Sequence, residues 1–255
     1  MSTPAIARGP GYWLRSYGLM VRRDLVALRV DLAAMLVLQT LMGAGAAFIY
    51  GFVLGDQDPA HATYIATAAP VLAMIPVGFA FLPGVIGNMK SEGSYDYVWS
   101  LPVPRTAAGA ATLSAFTVAA LPAAALSLTI ASWRYGVDLS ISPSIVPAVG
   151  LTALMAASVG YGLGHAVPDP RVTNLIVNLV MFSVLMFSPL AFPIEQFPGW
   201  LGAVHQVLPF HHMATVVRAA LTDGLVSHVA RSYAVLAAWT VVSWAAALRV
   251  VGRRG

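Results

Sequence analysis

Few side chains in this sequence have the type and spacing that chemistry requires. Ser158 and Ser183, with His165, could suggest an intramembrane serine protease, but no G-x-S-x-G turn surrounds either serine. His211 and His212 are adjacent, so on a helix they point about 100° apart and do not easily share one metal ion. The chain also lacks cysteine and the H-E-x-x-H pattern. We therefore expect no catalytic residue and no metal site.

The sequence also lacks the residues by which a transport protein would hydrolyse ATP or couple to protons. The sequence contains no G-x-x-x-x-G-K-[ST] phosphate loop, so it cannot hydrolyse ATP by that route and needs no cofactor of its own. Charged residues are almost absent from the long apolar runs, whereas proton-coupled pumps place Asp, Glu or Lys in mid-membrane. This absence favours an apolar or amphipathic cargo moved by energy from elsewhere.

The composition identifies the solvent of the chain as lipid. Of the 255 residues, 58% are hydrophobic and 9% are charged, and the mean hydropathy is +0.77, whereas a soluble domain has about 25% charged residues. We predict one all-α integral membrane domain over residues 1–255. The net charge of +4 suits membrane headgroups, and nothing indicates a nucleic-acid partner.

Six neutral stretches are long enough to cross a bilayer, which requires about 20 apolar helical residues. They predict spans at about residues 32–55, 63–87, 106–132, 140–164, 172–193 and 232–248. Lysine and arginine accumulate on the cytoplasmic side of membrane proteins. Of the 14 such residues, only Arg134, Arg218 and Arg231 fall on the other side of this arrangement. Both termini are therefore predicted to be cytoplasmic.

A basic helix is predicted before the first span, at about residues 11–30. Arginines recur there every seven residues, a spacing that forms one stripe drifting about 20° per repeat on a helix, and Arg23 adjoins it. The stripe is Arg8, Arg15, Arg22 and Arg29. The apolar residues opposite are Trp13, Leu14, Tyr17, Met20, Val21, Leu25 and Leu28. This pattern favours an amphipathic helix at the interface with membrane lipids over a plain basic flank.

The loop between the second and third spans is the most charged stretch between spans. It contains Lys90, Glu92, Asp96 and Arg105. Ser91 and the acidic residues can open a short helix, whose apolar side would be Tyr95, Val98, Trp99 and Leu101, and Pro102 and Pro104 would end it. We favour a docking helix for a cytoplasmic partner over a simple polar connector.

The region before the last span, at about residues 195–225, is too apolar for a solvated loop. It is also too broken by Pro193, Pro198 and Pro209 for one straight span. Irregular backbone at membrane depth must be covered by protein or by a water-filled cavity. Short re-entrant helices on the outer side fit this pattern, with Glu195 and Trp200 among their residues. A pair of interfacial helices that only cap the bundle is the alternative.

These features together resemble the membrane subunit of ABC-2 type transporters, the permease group that includes daunorubicin-resistance exporters. Two segments carry the resemblance. Residues 90–105 are similar to the family's coupling segment and read K-S-E-G-S-Y-D-Y-V-W-S-L-P-V-P-R. Residues 188–201, with the L-P-F-H-H-M-A-T-V-V-R-A-A-L that follows at 208–221, are similar to its outer re-entrant region. The resemblance covers nearly the whole chain.

The resemblance implies an interface helix, six spans, a cytoplasmic coupling helix and outer re-entrant helices before the last span. It also implies a second permease copy or paralogue and two cytoplasmic ABC ATPase subunits, which would hold ATP and Mg²⁺. The residues implied in coupling to the ATPase are Glu92, Gly93, Ser94, Asp96, Tyr97 and Arg105. Arg22 and Arg23 would position the interface helix beside that subunit.

Export of a drug or amphipathic lipid, with a role in antibiotic resistance, is the function we expect from this resemblance. A polysaccharide or glycolipid exporter of the same fold is the alternative, and an intramembrane enzyme or anchor without an ATPase is a rival of another class. Thirteen arginines against the single Lys90 suggest a bacterial genome rich in GC, and hence the bacterial inner membrane.

Overall fold

The computed structural model describes residues 9–54 and 59–252, and these residues form helices and no strands. Ten helices, α1 to α10, organise the fold. They are α1 (Pro10–Leu28), α2 (Leu32–Phe52), α3 (Pro59–Ser91), α4 (Ser94–Ser100), α5 (Arg105–Tyr135), α6 (Ile145–Ala166), α7 (Pro170–Phe187), α8 (Gly199–His205), α9 (Pro209–Leu221) and α10 (Val229–Gly252).

Six of these helices are long and apolar enough to cross a membrane: α2, α3, α5, α6, α7 and α10. The six apolar spans expected from the sequence are therefore present. At 33 and 31 residues, α3 and α5 exceed the roughly 20 residues that a bilayer requires. Their ends therefore reach beyond the apolar layer or the helices tilt.

The central helix of the bundle is α3, which is buried along most of its length. Leu72, Met74 and Ile75 are almost fully buried at its middle. The helix continues through Pro70 and Pro76 and then contains one π turn, Val77–Phe81. Neighbouring helices and local π adjustments can accommodate the backbone groups that proline leaves unpaired.

The α3 and α6 helices approach each other closely at Gly78 and Gly160. A Cβ atom on Gly160 would collide with the carbonyl oxygen of Gly78, and one on Gly78 would collide with the backbone of Ala156. Small residues allow this close backbone approach, as is common between membrane helices. The two helices can pack at this short distance only because neither glycine has a side chain.

Two spans have different limits from those expected. The fifth span was predicted to reach residue 193, but α7 ends at Phe187, where the backbone of Ser188 becomes extended. The fourth was predicted to begin near residue 140, but α6 begins at Ile145. Before it, the chain runs beside the end of α9, where the N–H groups of Ser140 and Ser142 donate to the carbonyl oxygens of Leu221 and Ala220.

The first helix lies along α5, with Trp13 Nε1 donating to Thr106 Oγ1 at 2.9 Å and the Tyr17 hydroxyl donating to Ser114 Oγ at 2.9 Å. Its buried residues are Ser16, Met20, Asp24 and Leu28. The face that contacts the protein therefore includes part of the expected apolar face, namely Trp13, Tyr17, Met20 and Leu28, together with Ser16 and Asp24. Leu14 and Leu25, assigned to that apolar face, are exposed.

Candidate functional site

The candidate coupling segment begins where α3 ends. Glu92 follows the last turn, and its N–H donates to the Asn88 carbonyl oxygen at 2.9 Å. Gly93 then adopts a left-handed conformation, with φ of 75°, and α4 starts at Ser94. Glycine enters this conformation without the steric cost of a side chain. Gly93 therefore allows the sharp change of direction between the two helices.

One surface of this segment is exposed. Glu92, Asp96 and Tyr97 are exposed there, and Tyr97 retains 68% of its accessible surface. Ser94 is half-buried, and its hydroxyl donates to the Met89 carbonyl oxygen at 3.4 Å. We call Asp96 and Tyr97 of α4, together with Glu92 just before it, the acidic surface of α4.

The opposite surface of α4 is fixed to the end of α6. The Tyr95 hydroxyl lies 2.7 Å from His165 Nδ1, and the Trp99 ring contacts the His165 ring with centroids 5.7 Å apart. At the end of α3, Lys90 Nζ donates to the carbonyl oxygens of Gly164 and Val167 at 2.5 and 2.6 Å. The junction of α3 and α4 therefore contacts α6 through both polar and aromatic groups.

Arg105 was grouped with the coupling residues, and the structure places it against the last helix. Its Nη1 donates to the carbonyl oxygens of Val251 at 2.9 Å and Gly252 at 3.4 Å. The last carbonyls of a helix lack intrahelical partners and carry partial negative charge. Arg105 thus joins the start of α5 to the end of α10.

A cavity of about 230 Å³ lies between α1 and the α3–α4 junction, and Asp24, Thr112, Tyr95 and His165 are among its lining residues. Asp24 is buried, and its Oδ2 accepts a hydrogen bond from the Thr112 hydroxyl at 2.7 Å. Arg23 Nη1 lies 3.2 Å from its Oδ1. Burial raises the pKa of Asp24, while the Thr112 hydrogen bond and Arg23 act in the opposite direction.

Of the basic residues expected on the first helix, Arg23 lines this cavity, whereas Arg15, Arg22 and Arg29 do not. Arg15, Arg22 and Arg23 are exposed on α1, and Arg29 is exposed just after its end. Arg8 lies outside the described residues. Asp24, the buried member of this region, had no signal in the sequence that distinguished it from a solvated carboxylate.

Between α7 and α10, proline begins each short helical segment. Pro193 precedes a 3-10 turn, Ile194–Gln196, and Pro198 precedes α8. Pro209 is the first residue of α9, a position where the missing N–H costs little. Glu195 and Trp200 are both exposed, the latter by 71%.

Buried polar groups hold α9 in place. The Arg218 side chain is 2% exposed, and its Nε donates to Thr67 Oγ1 on α3 at 2.9 Å. His212 lies 2.9 Å from both Ser232 Oγ on α10 and the Gln206 carbonyl oxygen. Burial lowers the pKa of His212. Because the carbonyl can only accept, Nε2 of the neutral ring donates to it and Nδ1 accepts from Ser232.

Comparison with known proteins identifies the family. The sequence model of the ABC-2 type transporter family matches residues 15–222. The chain belongs to this family. It is 24% identical over 245 residues to Nodulation protein J of Rhizobium meliloti (strain 1021), covering 95% of this chain and 92% of that protein. It is 25% identical over 246 residues to Nodulation protein J of Rhizobium leguminosarum bv. trifolii, with coverage of 95% and 92%.

Membership makes this ABC-2 family chain a membrane transport subunit. Permeases of the family generally pair with ABC ATPase subunits. The family match includes α1 from residue 15 onward, the α3–α4 junction and α9. Within the described residues, no cluster of His, Cys, Asp or Glu could hold a metal ion.

Sequence analysis and structure select different residues at the α3–α4 junction. Glu92, Asp96 and Tyr97 were selected and are exposed together on one surface. Tyr95 was assigned only an apolar role, and His165 was considered only as support for a catalytic serine. His165 directly follows residue 164, the predicted end of the fourth span, and a basic residue at a helix end is a sequence signal that could have indicated a polar role.

Proposed function

We propose that this ABC-2 family chain is the permease subunit of an ATP-driven exporter. It moves an amphipathic or hydrophobic molecule, drug-like or lipid-like, out of the cytoplasm or the inner leaflet of the bacterial plasma membrane. Two permease chains and two ATPase subunits form the transporter, and ATP and Mg²⁺ bind in the ATPase. Both termini of the permease and α4 face the cytoplasm.

The arrangement of α4 is the observation that carries this proposal. Its acidic surface is exposed while its opposite surface is bonded to the end of α6 through Tyr95 and His165. A partner that holds Glu92 and Asp96 and moves on ATP binding would displace α4 and α6 together. Such a movement shifts the permease between two states only if the partner contacts them differently.

The remaining assignments support the same arrangement. We propose that α1 lies at the cytoplasmic interface with Arg15 and Arg22 toward lipid headgroups, since both are exposed and Leu14 beside them is exposed as well. We also propose that α8 and α9 are re-entrant on the outer side. The packing of α9 against α3, with Arg218 bonded to Thr67, supports this position.

The first test is purification of the tagged chain from its native membrane in mild detergent, followed by identification of co-eluting proteins and an ATPase assay. We expect a phosphate-loop ATPase in stoichiometric amount. If the chain elutes alone after crosslinking and without ATPase activity, the exporter assignment is wrong. Vesicle transport with an amphipathic dye and with a labelled polysaccharide then separates the expected cargo class from the alternative one.

A further inference from the structure

A second cavity, of about 260 Å³, lies where the start of α3, the segment after α7, α9 and the start of α10 meet. It is remote from the acidic surface of α4, because Tyr64 and Lys90 stand near opposite ends of α3. Its charged or basic lining residues are Arg218, Arg231, His211, His212, His228 and Glu195, and Tyr64 also lines it. Glu195, His228 and Arg231 are exposed, so the cavity is accessible from the surface.

Arg218 is the innermost charged group of this cavity, at 2% exposure. Its Nε donates to Thr67, and its Nη2 donates to the carbonyl oxygens of Tyr64 at 3.1 Å and Leu190 at 2.6 Å. The Tyr64 ring lies 4.0 Å from the guanidinium carbon. These partners are an uncharged hydroxyl, two carbonyl oxygens and an aromatic ring. Arg218 forms no ion pair with a carboxylate of the described residues.

The guanidinium also has donors left over. Arginine carries five N–H groups, and the two on Nη1 find no acceptor among the described residues. Burying a charge is unfavourable unless an opposite charge or hydrogen bonds compensate it. An oxygen anion in the cavity would accept from Nη1 and supply the missing negative charge.

We infer that this cavity binds the acidic group, phosphate or carboxylate, of an amphipathic molecule, with Arg218 as the inner contact and Arg231 as the outer one. Its volume of about 260 Å³ is below the roughly 300–1,000 Å³ of pockets for drug-sized ligands. The cavity therefore suits a headgroup rather than a whole cargo molecule. Placement of this site in the outer leaflet rests on the proposed function, and the ligand is then either a departing acidic cargo or an anionic phospholipid.

The test measures binding to the purified complex in neutral detergent. Dihexanoyl phosphatidylglycerol is the probe, and dihexanoyl phosphatidylcholine, with the same acyl chains, is the zwitterionic comparison. We expect the anionic lipid to raise Tm and to bind in titration, while the zwitterionic lipid does neither. Inorganic phosphate is expected to compete with the anionic lipid. Equal binding of both lipids, or of neither, would overturn the inference and leave Arg218 as an anchor of α9 only.

Two variants distinguish binding in this cavity from nonspecific attraction of the anionic lipid to arginines on the surface. Arg231→Gln keeps the exposed position polar and should weaken phosphatidylglycerol binding about tenfold, the effect of losing one hydrogen bond to a charged group. Arg134→Gln removes an exposed arginine away from the cavity and should leave binding unchanged. If the two variants bind alike, the cavity is not the site. Arg231, unlike Arg218, is exposed, so the test does not depend on a buried substitution.

Mass spectrometry of lipids in the untreated complex distinguishes the two sources. An anionic phospholipid that is retained by the wild type and lost in Arg231→Gln identifies the membrane as the source. A complex that retains no phospholipid but binds added phosphatidylglycerol has a competent site that membrane lipids do not fill, and this result favours an acidic cargo group as the natural ligand. Neither result requires an ATPase. If no ATPase co-purified, the proposed function would be contradicted, but the lipid-binding result would still test the inference about the cavity.

Discussion

The Tyr95 hydroxyl lies 2.7 Å from Nδ1 of His165, across 70 residues of sequence. This bond joins the buried side of α4 to the last turn of α6, while the acidic surface of α4 remains exposed. Lys90 reinforces the same junction through the carbonyl oxygens of Gly164 and Val167. The junction of α3 and α4 is therefore joined to the end of a helix long and apolar enough to cross a membrane.

Tyr95→Phe should weaken this transmission while preserving the ring contacts. Loss of one hydrogen bond lowers the free energy of unfolding by about 1 kcal/mol. We expect ATPase activity to persist and the amount exported per ATP hydrolysed to fall. Ser100→Ala, which removes an exposed hydroxyl from the same helix, is the control. Equal transport ratios in the two variants would show that the Tyr95 bond is structural only.

Glu92→Ala tests the acidic surface of α4 directly. Glu92 is exposed, so the variant should assemble normally with its ATPase. We expect export per ATP to fall about tenfold, within the roughly 5–150-fold range of coupling between sites. Asp138→Ala, an exposed carboxylate distant in sequence, should export normally. Unchanged export by Glu92→Ala would refute its assignment to coupling.

Asp24→Asn should maintain or raise Tm at neutral pH. Burial raises the folded-state pKa of Asp24 above its usual value, so its contribution to stability is full below the unfolded pKa of 3.8 and is lost as pH rises through the folded one. Asparagine can still accept from Thr112 without a buried charge. We expect wild-type Tm to decrease relative to that of the variant as pH rises from 3.8 through the folded-state pKa, and the difference to stay constant at higher pH.

Two further variants define this effect. Asp24→Ala removes the acceptor of Thr112 and should lower Tm. Asp31→Asn neutralises an exposed carboxylate lining the same cavity and should leave Tm and its pH dependence as in the wild type. A lower Tm for Asp24→Asn than for wild type at pH 7 would mean that the ionised carboxylate is stabilising.

Acidification should destabilise the region around α9. Burial, then the charges of His212 and Arg218, lower the pKa of His211 to about 4. Because the folded pKa lies below the unfolded value of 6.5, stability is full above pH 6.5 and falls as pH decreases toward 4. We expect Tm to decrease over this range, and proteolysis near α9 to increase.

His211→Gln should flatten that pH dependence, since it removes the group that takes up the proton. His228→Asn is the control, because His228 is exposed and has φ of 57°, a conformation that asparagine tolerates. An unchanged pH profile in His211→Gln would assign the acid sensitivity to other groups.

Gly160→Leu should prevent normal packing of α3 against α6. The added side chain collides with backbone rather than with a movable side chain, so the cost reaches or exceeds the upper end of the roughly 1–3 kcal/mol typical of overpacking. We expect loss of the monodisperse peak in size-exclusion chromatography. Gly150→Leu, on the same helix but with open space around it, should elute normally.

The sequence predicted which helices this protein contains better than it predicted the residues at which they begin and end. The six spans followed from hydropathy because each must satisfy the same bilayer thickness. The end of α7 was misplaced because residues 188–193 are apolar whether or not they are helical. The amphipathic pattern of α1 gave no indication that packing against α5 buries Ser16 and Asp24, and its position at the lipid interface stays a prediction.

The sequence by itself determined that this is a membrane protein, how many spans it has, and where the two distinctive segments lie, one between the second and third spans and one before the last span. These features depend on local composition and on the positions of proline and glycine. Tertiary structure decided which polar groups meet. Arg218 and Thr67 are 151 residues apart, and Asp24 and Thr112 are 88 apart. Such pairs have no local signature, because their energy comes from burial and hydrogen bonding that exist only once the helices are packed.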